Sequence, residues 1–145
     1  MKKRIIAICL LIFCVLGIDA CSSLSSIKDT LDWFEIEIPE ELLSTDIKNI
    51  YEANNQCGFQ MDGDWYVVFQ LKEAPSKIPA IFANAEGDEE WVEIFHYAAK
   101  SLKVPAKYRP ERGRESYRVS AHNGDYLDII YQPHSLRIYM LVRYF

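Results

Sequence analysis

The chain has 145 residues, half of them hydrophobic, with a formal net charge of −5 and four cysteines. That length suits one small domain with a single modest core and argues against two domains. The acidic balance disfavours nucleic acid as a partner, because like charge opposes the phosphate backbone.

Residues 1–21 carry the pattern of a bacterial export signal. Lys2, Lys3 and Arg4 form a cationic start, and Ile5 to Ile18 form an apolar run broken only by Gly17. Ile18-Asp19-Ala20-Cys21 then stands where a lipoprotein cleavage box belongs, with Asp19 departing from the small residue expected before Ala20. On this reading residues 1–20 are removed and Cys21 is acylated, the protein's contact with the membrane being its N-terminal lipid. Each buried methylene contributes about 0.8 kcal/mol to that anchor. Ser22 after the cysteine suits sorting to the outer membrane, with the domain facing the periplasm. Ordinary cleavage after Ser22 is the alternative, giving a soluble secreted or periplasmic protein. An uncleaved span is the weakest reading, since the apolar run falls short of the roughly 20 residues that cross a bilayer.

The remaining 125 residues hold 13 basic and 20 acidic side chains, a net −7. Residues 21–99 carry a net −12 and residues 100–145 a net +5. The two segments are expected to pack side by side and neutralise one another. The sharper alternative is a basic interaction surface on the stretch from Lys100 to Arg118, including Lys107, Arg109, Arg112 and Arg114, facing anionic headgroups or an acidic partner. On the lipoprotein reading Cys9 and Cys14 leave with the signal and lipid takes Cys21, so Cys57 has no partner within the chain and is expected to be a buried small hydrophobe; the alternatives are pairing between molecules or, in a plainly secreted form, with Cys21.

Ser22 to Ser26 reads as a short tether, and 27–145 as one globular domain. Ile27, Leu31 and Phe34 recur at helical spacing and predict a short helix over 27–35. A strand is expected around Ile47 to Glu52. Trp65 to Leu71, dense in β-branched and aromatic residues, reads as a central buried strand. Pro75 and Pro79 punctuate an extended connection. From Glu89 to Leu102, Trp91, Phe95, Ala98 and Leu102 form one stripe, with acids at the start and Lys100 and Lys103 at the end, so the main helix is expected at about 89–102.

The C-terminus reads as an antiparallel three-stranded meander. Tyr117 to His122 and Asp125 to Gln132 flank the Asn123-Gly124 turn, and Pro133-His134-Ser135 leads into Leu136 to Phe145. In that last strand Leu136, Ile138, Met140 and Val142 share one face. Arg137, Tyr139, Leu141 and Arg143 share the other, expected to be partly exposed. The fold class is therefore α+β, a small antiparallel sheet packed by one main helix and a short N-terminal one.

Gly58-Phe59-Gln60-Met61-Asp62-Gly63-Asp64-Trp65-Tyr66, followed by an apolar strand, resembles small uncharacterised bacterial proteins with a Gly-Phe-His-Gly-Asp-Gly type signature. Gln60 stands in place of the histidine and Met61 in place of the following glycine. The resemblance implies an α+β fold and no established activity. The segment reads first as a turn in which Phe59 packs beneath the sheet, and alternatively as a recognition loop presenting Phe59, Asp62, Asp64 and Trp65.

No catalytic motif emerges. His96, His122 and His134 lack the i,i+4 spacing of a helical zinc site. A pairing of His122 with His134 would require a carboxylate such as Asp125 or Asp128. Nucleophile elbows, calcium loops and phosphate-cradling glycines are absent from the sequence. No cofactor or metal is expected, and the chain does not read as an enzyme. The leading expectation is an envelope lipoprotein that binds another protein, as an inhibitor or immunity factor does. The alternatives are an accessory or structural part of an envelope assembly and an envelope hydrolase with a cryptic site.

Overall fold

The computed structural model describes residues 24–37, 47–55, 63–84 and 89–145. The export signal, Cys21, Cys57, Phe59 and Asp62 lie outside them. In chain order the elements are α1 (Leu24–Trp33), β1 (Ile47–Asn54), β2 (Gly63–Leu71), β3 (Ala83–Asn84), α2 (Glu89–Ser101), β4 (Tyr117–Asn123), β5 (Asp125–Gln132) and β6 (Arg137–Tyr144). Short 3-10 turns stand at Ala106–Tyr108 and Pro133–Ser135.

The strands form one antiparallel sheet in the order β1-β2-β6-β5-β4-β3, in which β3 is a two-residue edge. The C-terminal meander is present as β4-β5-β6, and β6 closes the sheet by pairing with β2. In β2 every residue from Tyr66 to Phe69 is buried, so both faces of the sheet centre are covered. One face carries Val67, Phe69, Leu127, Ile129, Ile138, Met140 and Val142, against which Leu31 of α1, Phe34 just beyond it and Phe82 pack. The other carries Tyr66, Val68, Ile130, Tyr139 and Leu141, covered by Val92, Phe95, Ala98 and Ala99 of α2 and by Val104. A fully buried large apolar side chain contributes about 1.5–3 kcal/mol, so both layers are needed.

This arrangement limits the partial exposure expected for that face of β6 to its two ends. Tyr139 is 1% exposed and Leu141 is fully buried, because α2 lies over the face they share. On that face only Arg137 and Arg143, towards the strand ends, are partly exposed. The N-terminal helix begins at Leu24, inside the expected tether, and ends at Trp33. β1 runs on to Asn54 and has an irregularity between Asn49 and Tyr51. The β4–β5 reversal is centred on Gly124, whose φ is +79°, with Asn123 directly opposite Asp125. Glycine tolerates that φ without a Cβ clash.

Candidate binding surface at one end of the sheet

Strand register brings the start of β2, the end of β6 and the β4–β5 turn together. Gly63 lies opposite Tyr144, and Tyr126 lies opposite Arg143. The Asn123 side-chain amide donates to the Trp33 carbonyl at 3.1 Å, tying the end of α1 to the same turn. Three large aromatics are exposed here, Trp33 at 61%, Tyr126 at 42% and Phe145 at 76%. The Tyr126 ring stands edge-on to Phe145 at 5.5 Å and lies 4.3 Å from the His122 ring. Between α1 and the end of β6 runs a groove of about 440 Å³ lined by Asp29, Thr30, Trp33, Phe34, Asp125, Tyr144 and Phe145. Its lining is mainly apolar, and its charged members, Asp29 and Asp125, are both carboxylates.

Across the sheet, the α2 side holds a cleft of about 390 Å³ lined by Asp64, Glu90, Glu93, Ile94, Tyr97 and Arg143, among others. Arg143 is already engaged. Its Nη2 donates to Asp128 Oδ2 at 2.6 Å, Ser120 Oγ donates to the other Asp128 oxygen at 2.6 Å, and its guanidinium lies over the Tyr126 ring. Asp128 is buried, so this pairing offsets the cost of desolvating its charge. Burial pushes the Asp64 carboxyl above its ordinary value, and the positive charge of Arg143 opposes the shift.

Among the described residues, those singled out from sequence do not converge, and Phe59 and Asp62 lie outside the described residues. Asp64 lies in the acidic cleft. Trp65 packs half-buried against the α1-side core, its indole N–H donating to Glu52 at 2.8 Å. The basic stretch is largely occupied by contacts within the fold. Arg109 donates twice to the Val104 carbonyl, Arg112 forms an ion pair with Glu93, and Arg114 pairs with Glu111. Lys107 lies over the Tyr108 ring, and its carbonyl accepts from Arg137. Arg112–Glu93 joins the acidic and basic halves of the chain, whereas Arg114 and Arg143 find their acids within the basic half. These contacts hold Glu93 below its ordinary value through the Arg112 bond, and Glu111 below its own through His134 and then Arg114.

The histidines are dispersed. His96 pairs with the Pro110 carbonyl at 2.8 Å, and His134 lies 3.3 Å from Glu111. His122 and His134 sit at opposite ends of β5, about 20 Å apart at the rise of a strand, which rules out the pairing considered from sequence. Among the described residues no group of three or more His, Cys, Asp or Glu side chains is placed to hold a metal ion.

Trp33, Tyr126 and Phe145 were not singled out as binding residues from sequence. For Trp33 the signal was present, since it falls off the Leu31 and Phe34 stripe of its helix. The architecture is an α+β domain whose antiparallel sheet lies between helices and ends in an aromatic, acid-rimmed surface. Such a surface has the shape to take an apolar side chain and the charge to attract a cation. No family model, curated protein or solved structure matches the chain.

Proposed function

We propose that this protein is an exported, lipid-anchored envelope protein whose domain acts by binding another protein, in the manner of an inhibitor or immunity factor. The observation that carries this reading is the pair Trp33 and Phe145, exposed along a groove at one end of the sheet, with Tyr126 exposed beside Phe145. Exposed aromatics bordering a concave surface are the usual anchors of protein interfaces. Engagement of Arg109, Arg112 and Arg114 within the fold favours this end over the basic stretch as the binding surface. The Ile18 to Cys21 box supports the anchor, and Ser22 supports an outer-membrane location facing the periplasm.

The test is an in-cell crosslinking pull-down of the full-length protein, read by mass spectrometry. A stoichiometric protein lost on Trp33→Ala is the expected result, and no reproducible partner would overturn the reading. In the same cells, palmitate labelling should be present and should disappear in Cys21→Ser. Persistent labelling of that variant would overturn the assignment of Cys21.

A further inference from the structure

We infer that the groove between α1 and the end of β6 receives an apolar side chain from a cationic segment of the protein partner, whose flanking Lys or Arg residues meet Asp29 and Asp125. The inference rests on the proposed binding role and specifies its chemistry. At about 440 Å³ the groove falls within the roughly 300–1,000 Å³ typical of pockets that enclose a compact ligand. Trp33 supplies an exposed apolar wall, and Phe34, Tyr144 and Phe145 supply the rest.

Charge selects the occupant. Among the described residues the groove is lined by two carboxylates and by no Lys or Arg. The cleft across the sheet adds Asp64 and Glu90, while its Glu93 is paired with Arg112 and its cation Arg143 with Asp128. A second copy docked across a two-fold axis would set Asp29 and Asp125 against the same groove's carboxylates. An anionic lipid surface would meet the same repulsion. A cationic, apolar peptide segment meets neither obstacle, and its approach is accelerated by the net −7 of residues 21–145.

The test is selection of a displayed random-peptide library on the full-length protein held in detergent, followed by affinity measurement on one synthetic selected peptide. Enrichment of an aromatic or aliphatic residue flanked by Lys or Arg is expected. Trp33→Ala should weaken that peptide by at least about tenfold. The double variant Asp29→Asn with Asp125→Asn should weaken it by about threefold or more in low salt, with the difference shrinking in high salt. Peptides without a basic preference, or basic peptides whose affinity ignores both variants, would overturn the inference. So would dimerisation or vesicle flotation of the unlipidated Cys21→Ser protein that is abolished by Trp33→Ala. A partner captured by crosslinking alongside any of these overturning results would leave the binding role standing while the proposed chemistry falls. No captured partner and no enriched peptide would remove both.

Discussion

Tyr66 and Tyr131 are buried phenols on opposite faces of the sheet, and their hydroxyls meet different fates. Tyr66 donates to the Tyr108 carbonyl at 2.8 Å, and its ring stands edge-on to Phe95 beneath α2. The Tyr131 ring lies near Phe82 and Tyr117, and its buried hydroxyl has no hydrogen-bond partner among the described residues. Removing a satisfied hydroxyl loses a bond and strands its acceptor, whereas removing an orphaned one relieves desolvation. Tyr66→Phe should therefore cost about 1 kcal/mol, and Tyr131→Phe should be neutral or stabilising by up to about 1 kcal/mol. Urea midpoints at unchanged m-value give the comparison, and equal losses in the two variants would refute it. Gln132 shows the satisfied extreme. Its buried amide accepts from the Glu111 N–H and donates to the Glu111 carbonyl and to Ser116 Oγ, clamping the loop that carries Arg112 and Arg114.

Both described helices end in the same device built on an unfavourable residue. At the end of α1, Glu35 has φ +57°, with Glu35 N–H bonded to the Asp32 carbonyl and Ile36 N–H to the Leu31 carbonyl. After α2, Lys103 has φ +55°, with Lys103 N–H bonded to the Lys100 carbonyl and Val104 N–H to the Ala99 carbonyl. These are Schellman closures, in which glycine is the preferred left-handed residue. Lys103→Gly should raise stability by about 0.5–1 kcal/mol, read from thermal melts, and a loss of stability would show that the lysine side chain makes a contact worth more than the strain. The body of α2 was legible because its apolar stripe and its end charges agree. The cover over Tyr139 and Leu141 was not, since strand alternation groups residues by face without saying what lies on that face. The Asn123-Gly124 dipeptide announced the reversal, but not that Gly124 alone takes the positive φ while the Asn123 side chain secures α1. The groove was less legible still. Asp29 and Trp33 are brought to Asp125, Tyr144 and Phe145 by long-range register, and no local pattern encodes that meeting.

At the scale of the whole molecule, the two-sided core makes the fold sensitive to base. Tyr66 and Tyr139 lie beneath α2 and Tyr131 lies on the opposite face, so buried phenols are present in both layers. Burial raises the pKa of all three above the ordinary value of 10.0, with Arg137 partly opposing the shift at Tyr139. A folded pKa above the unfolded one means that the native state holds its protons longer. Stability is then fully present below about pH 10 and falls as pH rises further, because the unfolded chain releases those protons first. Thermal melts from neutral pH to about pH 11.5 should show a steep loss beginning near pH 10. Phenolate absorbance from the three buried rings should appear together with the loss of circular dichroism. Tyr131→Phe should shift this alkaline transition to higher pH without lowering stability at neutral pH, since it removes one titrating phenol and strands no acceptor. Phenolate formation by all three rings in a chain that keeps its native spectrum would contradict the argument, because it would mean that neither layer shields its tyrosines from water.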